Sequence, residues 1–540
     1  METEDHFAHC QKTSMSVYEQ LDLGNSVAVK KEIESLMYLV KEIDFSAELE
    51  EYMISILHNT CAALIDGGYY CKYLGSLDLA VKLYSDNKEK LLSVMDGFEY
   101  FYTLGNALSN KNNLSPMEDN IFTIKEKHEE KTAYWNAYQA SNTSNYRLLT
   151  NLGNVLSRQH RIIEAIDFHD KALNENPLCW EARLGRTHAL LKFNSMTQSY
   201  SLEFIKQIRD GYKNLLENPT LPSWLLDEAQ AEFEYFNEQY LKALDSGEEV
   251  YDEEEDKRLI QEEIGELSDY RKFCLFNKLS LSEHSVYCIC GASETDDLTI
   301  PNRLGGMGNI VENEFILNRL KSEYSFARRM YYEYCHSDSE EEKSMFIESN
   351  FAELHDGELL GLKIEKLKSS YKQCFSILDK IANAICEEFG LYPNNDNERI
   401  GVMFNSFWRL DLRKERLEKN NYKGLSALYS IACDINDNKS LMGGLHHLKS
   451  HRNKIEHNFF SIFKNKDEME SALYKKEFTS NIAPLTLDEF EHNTLLILQL
   501  TRSAIFSYTY AVREKSEHLE RIFRNVKDTK PRMYDSKKTN

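Results

Sequence analysis

Residues 146–177 read YRLLTNLGNVLSRQHRIIEAIDFHDKALNENP and predict the fold of the N-terminal half. Leucine and valine recur at helical spacing up to Leu156, and isoleucine, alanine and phenylalanine recur again from Ile162. A polar turn separates the two patterns, and Pro177 ends the second. The stretch therefore predicts a hairpin of two amphipathic helices that approach closely at small residues such as Gly153.

This hairpin resembles the tetratricopeptide repeat, a pattern of roughly 34 residues. The positions that match are Leu152, Gly153, Leu156, Ala165, Ala172 and Pro177. His169 stands where the repeat usually carries an aromatic residue. TLGNALSNKN at 103–112 repeats the core of the first helix, and Trp180 begins a further candidate repeat. One hairpin cannot bury its apolar face alone, so we expect residues 1–245 to form a helical solenoid.

A solenoid of this kind is expected to bind a peptide or protein in its concave groove. Asn106 and Asn154 follow the glycines of the two related stretches at equivalent positions. Their amides are candidates for holding a peptide backbone. The alternative, that both are polar residues facing solvent, stays open.

Composition favours a mostly helical protein, because the 540 residues include only eight prolines and 22 glycines. The net charge of −24 repels nucleic acid and anionic membranes on average, so an RNA site requires a local basic patch. Eleven scattered cysteines fit a reducing cytosol. Neither a signal peptide nor an apolar run of membrane-spanning length is visible. We expect a cytoplasmic protein that is not bound to a membrane.

Residues 246–345 predict an acidic linker and an irregular connecting region. Residues 248–269 include eleven acidic and two basic side chains, which is typical of a solvated spacer or helix face. A short strand is expected at 285–290, and a helix resumes at 312–334.

Neither a metal nor a cofactor is predicted in this region. Cys288 and Cys290 lack two further ligands at zinc-site spacing. The glycine-rich LGGMGN at 304–309 lacks the preceding strand and the lysine of a nucleotide-binding loop.

Residues 346–520 predict a compact helical bundle. Long amphipathic helices are expected at 364–390 and at about 487–518, with a shorter one near 422–434. The polar tail 521–540 is predicted to be flexible. The predicted fold class is all-α, with helical repeats, a short irregular or β segment, and then the bundle.

LKSHRNKIEHNFF at 448–460 is the candidate reactive stretch. Ser450 is expected to cap a helix that begins at His451, which would place Arg452 in a first turn suited to phosphate. Arg452 can pair with Glu456 at i, i+4. His457 lies about 140° around the helix from Arg452, so the two side chains can converge only at the edges of one groove or across a partner.

These residue types suit RNA cleavage without a metal. The 2′-hydroxyl of RNA is the nucleophile, so an enzyme needs a proton acceptor, a proton donor and a cation for the phosphate. A histidine exchanges protons near neutral pH, and an arginine binds two phosphate oxygens. Residues 443–476 include seven Lys or Arg and four Asp or Glu, which reverses the overall charge. The candidate RNA-binding residues are Lys449, His451 and Lys454.

RNKIEH within a helical bundle resembles the signature of the HEPN superfamily, which is an arginine, often followed by asparagine, and then a histidine little more than one turn later. The resemblance implies that Arg452 and His457 are the catalytic pair. It implies that Asn453 orients the phosphate or His457, and that Glu456 holds Arg452 or biases His457. It further implies a homodimer through the bundle and a ribonuclease, with transfer RNA as a substrate and antiphage growth arrest as a purpose.

Two functions stay open. One is a metal-independent endoribonuclease whose repeats respond to a protein or peptide trigger. The other is a non-catalytic sensor or scaffold whose helical C-terminal part only dimerises, in which case the motif is a solvated helix face. His447 and His451 are expected to be a hydrated pair, because no carboxylate at helical spacing completes a metal site.

Overall fold

The computed structural model describes twelve parts of the chain. They are 2–46, 48–115, 127–141, 145–197, 201–245, 253–300, 309–336, 357–391, 404, 421–437, 442–475 and 482–528. Helices dominate these residues, and the predicted all-α fold class is confirmed. The end of the tail, from residue 529, lies outside the described residues.

The first six helices surround a hydrophobic core of their own. They are α1 (Glu2–Asp22), α2 (Ser26–Lys41), α3 (Glu51–Tyr70), α4 (Leu74–Asp86), α5 (Lys88–Leu91) and α6 (Gly97–Leu114). Fully buried side chains such as Val17, Ile33 and Leu64 make up this core. The Asp96 side chain caps α6 by accepting the backbone N–H of Glu99 at 2.7 Å, which satisfies a donor that the helix leaves free.

Helical hairpins continue along the chain. They comprise α7 (His128–Ala140), α8 (Tyr146–Arg158), α9 (Ile162–Glu175), α10 (Trp180–Thr197), α11 (Leu202–Leu216) and α12 (Ser223–Asp245). The predicted hairpin at 146–177 is confirmed as α8 and α9. Asn145 caps α8 by accepting the N–H groups of Arg147 and Leu148 at 3.0 and 3.2 Å. His160 turns the chain between the helices with a left-handed φ of +61°.

A buried histidine fills the centre of this hairpin. His169 has no exposed surface, and a Cβ built on Gly153 would lie 2.7 Å from Cε1 of its ring. A Cβ on Gly185 of α10 would lie 2.7 Å from Nε2 of the same ring. The two glycines therefore make room for the imidazole. Burial lowers the pKa of His169 to about 4, so the ring is neutral at neutral pH.

The connecting region contains α13 (Glu253–Glu266), α14 (Asp269–Phe276) and, after an irregular stretch, α15 (Asn309–His336). The strand predicted at 285–290 is wrong, because 3₁₀ turns at His284–Val286 and Gly291–Ser293 flank a non-repetitive segment. The Ser285 hydroxyl donates to the Ser282 carbonyl at 2.6 Å, so a local bond replaces a sheet partner. Apart from Asn309, the glycine-rich 304–309 stretch lies outside the described residues.

The C-terminal bundle confirms the three helices predicted there. Its helices are α16 (Leu362–Glu388), α17 (Lys423–Asp434), α18 (His446–His457), α19 (Lys466–Lys475) and α20 (Leu487–Asp528). α15 and α16 pack together, and α20 packs against α16 and α17. Two short strands were not predicted. β1 (Phe459–Phe463) and β2 (Ile482–Thr486) pair in parallel, with Phe459 opposite Ile482.

A buried ion cluster joins the hairpins to the bundle. Lys131 of α7 and Arg161 before α9 both pair with Asp434 of α17, and all three side chains have no exposed surface. The indole N–H of Trp135 donates to the same carboxylate at 3.0 Å. One hydrophobic core extends from Tyr134 in α7 to Val512 in α20. The hairpins from α7 onward and the bundle therefore share one folded interior.

Candidate active site

Helix α18 carries the arginine–histidine motif, and it begins at His446 rather than His451. Its start is fixed by backbone contacts with the end of α17, because the N–H of Leu445 donates to the Asp434 carbonyl at 2.9 Å. A Cβ on Gly443 would collide with the carbonyl oxygens of Cys433 and Asp434. The expectation that Ser450 caps the helix is wrong, and Arg452 lies beyond the first turn.

The buried side of α18 rests on α16. Leu448 has no exposed surface, and its carbonyl accepts the hydroxyl of Tyr371 at 2.6 Å. Tyr371 is itself fully buried against Phe490 of α20. The helix ends at His457, and the extended backbone of Asn458 leads directly into β1. The motif is therefore held between two packed helices and a strand.

The four predicted catalytic residues form one cluster on α18. Oε2 of Glu456 lies 2.9 Å from Nε of Arg452 and 3.8 Å from Nε2 of His457, so one carboxylate oxygen faces both side chains. Oδ1 of Asn453 accepts from Nη1 of Arg452 at 3.1 Å. No acceptor in the described part of the chain lies along the Nε–H bond of Arg452, so its contact with Glu456 is an ion pair rather than a directed hydrogen bond.

Arg452 and His457 differ in their access to solvent. The His457 side chain is 69% exposed, whereas that of Arg452 is 16% exposed. The imidazole is thus open to solvent, and the guanidinium is largely buried. An exposed imidazole and a largely buried guanidinium therefore share Glu456 as a neighbour.

Asp379 of α16 also belongs to the cluster, and no local sequence pattern indicated it. Its Oδ2 lies 3.7 Å from Nη2 of Arg452, and its Oδ1 accepts the N–H of Phe404 at 2.8 Å. Burial raises the pKa of Asp379, while the Phe404 N–H and the charge of Arg452 act in the opposite direction. Asp379 holds the outer nitrogen of the guanidinium. Only the packing of α18 on α16 brings it there.

The three predicted RNA-binding residues occupy different surroundings. Nζ of Lys449 lies 2.8 Å from Oδ1 of Asp437, so its charge is partly neutralised. Lys454 makes no ion pair with any other residue that the structure describes. The ring of His451 packs against that of Phe460, with centroids 5.6 Å apart. Of the three, Lys454 is the cation most available to a phosphate.

His447 and His451 are half-buried, and the expectation that they form a hydrated pair stays a prediction. Their ring centroids are 5.7 Å apart, and both rings line a cavity between the hairpins and the bundle. Burial lowers the pKa of each to about 4. Within the described residues, no three His, Cys, Asp or Glu side chains are arranged to hold a metal ion.

The two candidate groove residues both touch neighbouring helices. Oδ1 of Asn106 accepts from the Tyr134 hydroxyl at 2.9 Å and from Nδ2 of Asn151 at 3.0 Å. Oδ1 of Asn154 would lie 3.0 Å from a Cβ on Gly185. Both amides therefore contribute to packing between successive hairpins, and their role toward a peptide stays a prediction.

Comparison with known proteins bears on the part of the chain that carries the motif. Residues 308–515 match the family described as LA2681-like HEPN, and they include every helix from α15 to α19 and most of α20. No curated protein matches the chain. No helix in the described ranges is both long enough and apolar enough to cross a membrane.

The C-terminal bundle is a HEPN domain, and the helical region before it is consistent with repeats. HEPN domains are generally ribonucleases, which associates this domain with RNA-directed nuclease chemistry. The prediction made from the RNKIEH stretch is confirmed at the level of the superfamily.

Proposed function

We propose that the protein is a metal-independent endoribonuclease that leaves 2′,3′-cyclic phosphate and 5′-hydroxyl ends. The observation that carries the proposal is the convergence of Arg452 and His457 on Glu456 at the exposed end of α18. The match to a HEPN family supports the nuclease class.

In this mechanism His457 accepts the proton of the 2′-hydroxyl while the 2′-oxygen attacks phosphorus. The bond from phosphorus to the 5′-oxygen breaks, and a protonated imidazole returns a proton to that oxygen. Arg452 stabilises the added negative charge on the phosphorane oxygens. Asn453, Asp379 and Glu456 each face a different nitrogen of the guanidinium and thereby fix its plane.

Two carboxylates compete with phosphate for Arg452. Glu456 and Asp379 lie within 4 Å of the guanidinium, so a bound phosphate must displace at least one of them. Glu456 is the partner that a phosphate displaces in this proposal, because Asp379 is also tied to the Phe404 N–H. Rotation of Glu456 toward His457 would leave a carboxylate next to the imidazolium when it forms.

A homodimer would complete the site in this proposal. Acid and base roles then fall to the His457 residues of two subunits, and transfer RNA is the proposed substrate. The repeats are proposed to bind a protein or peptide trigger, and RNA cleavage to arrest growth during phage infection. The cytoplasm is the expected location.

The test compares the full-length protein with His457→Ala and Arg452→Ala on total RNA and on transfer RNA in EDTA. The wild type is expected to produce new 5′-hydroxyl ends, and both variants are expected to lose at least about a hundredfold in rate, which is the contribution of a positioned acid or base. His9→Ala and Arg258→Ala are matched controls, since both residues lie on exposed helix surfaces far along the chain.

A non-catalytic scaffold is the second candidate function. It is favoured by exposed apolar side chains on the last hairpin, where Trp224 is 71% and Tyr235 55% exposed, because such residues suit a protein partner. Equal RNA ends from the wild type and His457→Ala, with or without expression of the trigger, would refute the nuclease and leave this candidate.

A further inference from the structure

The last helix of the hairpins, α12, has one packed side and one exposed side. Leu225, Ala229 and Tyr240 are buried on the side that packs against α11. The guanidinium carbon of Arg209 on α11 lies 4.0 Å from the ring centroid of Tyr240 and anchors that side. Side chains on the opposite side are exposed in the part of the chain that the structure describes.

The exposed side of α12 has a stripe of large apolar side chains. Trp224 is 71%, Tyr235 55% and Leu241 51% exposed. Trp224, Ala231 and Tyr235 are separated by seven and four residues, which places them in one line along the helix. The Trp224 ring also meets that of Trp180 edge-on, with centroids 6.3 Å apart, so the stripe continues onto the start of α10. The end of a solenoid normally presents a polar outer face, so this stripe indicates a partner.

Acidic side chains border the stripe. α12 contains six acidic residues and one basic residue. Asp227, Glu234 and Glu238 are exposed and lie on the same side of the helix as Trp224. Lys242 pairs with Glu238 at 2.7 Å, so α12 itself supplies no second cation to the others. The exposed side of α12 is therefore both apolar and negatively charged.

The charge of this surface decides which kind of partner it fits. Like charges repel, so a phosphate backbone, an anionic membrane surface and the same surface of a second copy are all disfavoured. A cationic partner is attracted by the acidic border, and it must also bury apolar side chains against the stripe. An amphipathic helix with lysine or arginine beside its apolar residues meets both requirements, because helices pack their apolar ridges against each other.

We propose that the exposed side of α12 docks a basic amphipathic helix of a partner protein. Apolar residues of the partner cover Trp224 and Tyr235, and its cations meet Asp227 and Glu234. The role of this partner as the trigger of the repeats rests on the proposed function, whereas the docking does not depend on RNA cleavage.

Binding is measured by calorimetry on the full chain with a synthetic peptide of about 18 residues, which has leucines on one face and lysines on the other. A Leu/Glu peptide of the same pattern is the control for charge, and polylysine of the same length is the control for the apolar face. The Leu/Lys peptide is expected to bind at least about tenfold more tightly than either control, and more weakly as salt is added. Equal binding of the Leu/Glu peptide, or no binding of the Leu/Lys peptide, overturns the proposal.

Substitutions locate the bound peptide. Trp224→Ala and Tyr235→Ala are each expected to weaken binding of the Leu/Lys peptide by about tenfold or more, because aromatic residues often contribute most of the binding energy of an interface. Tyr38→Ala on α2 is the matched control, since Tyr38 is 66% exposed on a different helix. All three side chains are exposed, so their removal leaves the fold intact. Unchanged affinity in both α12 variants, or a dimer of the wild type that Trp224→Ala dissociates, overturns the proposal.

Charge reversal tests the acidic border separately. Asp227→Lys, Glu234→Lys and Glu238→Lys together leave three acidic and four basic residues on α12. This triple variant is expected to bind the Leu/Glu peptide more tightly than the Leu/Lys peptide, which reverses the order in the wild type. An unchanged order overturns the proposal.

The coupling to RNA cleavage is measured in the triple variant, because a basic peptide binds RNA itself. Saturating Leu/Glu peptide is expected to change the rate of RNA cleavage by the triple variant and to leave that of the wild type unchanged. A rate that the peptide does not change in the triple variant overturns the trigger role. Absence of any RNA cleavage refutes the proposed nuclease, whereas calorimetry still decides whether the helix docks.

Discussion

Replacing Asp434 by asparagine tests whether the buried ion cluster holds the hairpins to the HEPN domain. Nζ of Lys131 lies 2.8 Å from Oδ1 of Asp434, and Arg161 pairs with its other oxygen. Although burial opposes ionisation, the charges of Lys131 and Arg161 lower the pKa of Asp434, so it is the counter-ion for both. Asparagine keeps the shape and removes the charge.

The expected cost follows from the burial of all three side chains. Removing one partner of a buried ion pair leaves a charge without compensation and costs about 3–5 kcal/mol. Glu164 also pairs with Arg161, so Lys131 is the cation left without a carboxylate. We expect Asp434→Asn to lower the free energy of unfolding by an amount in that range and to destabilise α7, α9 and α17 together.

The matched control is Asp78→Asn on the surface of the N-terminal helices. Oδ1 of Asp78 lies 2.8 Å from Nζ of Lys111, the same distance as in the buried pair, but the two side chains are 50% and 37% exposed. A surface pair contributes at most about 1 kcal/mol. Distance is thus held constant while burial differs.

Urea unfolding is followed by tryptophan fluorescence, whose signal includes that of Trp135 beside Asp434, and by hydrogen exchange of α7 and α17. Adding Lys131→Met to Asp434→Asn is expected to recover part of the loss, because the uncompensated cation is removed. Similar unfolding midpoints for Asp434→Asn and Asp78→Asn, or strictly additive effects in the double variant, would refute the reasoning.

Three further predictions concern packing at Gly153, the effect of pH on stability and the orientation of the Arg452 guanidinium. Gly153→Ala places a Cβ against the His169 ring and is expected to destabilise the hairpin by about 1–3 kcal/mol in urea unfolding, whereas Gly265→Ala, which meets no atom within 4 Å, is expected to be neutral or stabilising. His169 has a pKa of about 4 in the folded chain, so the unfolded chain binds its proton first as pH falls below about 6.5. The contribution of His169 to the free energy of unfolding is therefore fully present above that pH. It falls by about 1.4 kcal/mol per pH unit toward pH 4, and equal unfolding midpoints at pH 7 and 5 would contradict this. Asp379→Asn is expected to lower kcat for RNA more than it raises KM, because Arg452 loses its orientation while RNA contacts elsewhere stay, and Asp379→Glu should restore part of the rate; a change in KM alone would refute the positioning role.

Local sequence patterns predicted correctly the helices that are specified by their own residues. The hairpin of α8 and α9 follows from its apolar periodicity, a capping asparagine and glycine at the point of contact. The long helices α16 and α20 follow from apolar residues on one face. The RNKIEH stretch identified the superfamily, because its arginine and histidine stand at the spacing of the HEPN signature within a predicted helical bundle.

Local patterns failed where distant contacts decide the backbone. Ser450 predicted a helix cap, but α18 begins at His446, where backbone hydrogen bonds to the end of α17 fix its start. Valine, tyrosine and cysteine at 285–290 read as a strand, but no partner strand is present among the described residues and serine hydroxyls satisfy the local carbonyls. The parallel pairing of β1 with β2 depends on residues far apart in the chain, so periodicity could not reveal it.

The sequence alone determined the helical class, the hairpin and the superfamily signature at RNKIEH, since each depends on residues within a few helical turns. The tertiary structure alone placed Asp379 beside Arg452, joined Lys131 to Asp434 and enclosed the cavity that His447 and His451 line. These contacts join separate helices. Their geometry depends on how whole helices pack, which is a property of the folded interior and not of any local stretch.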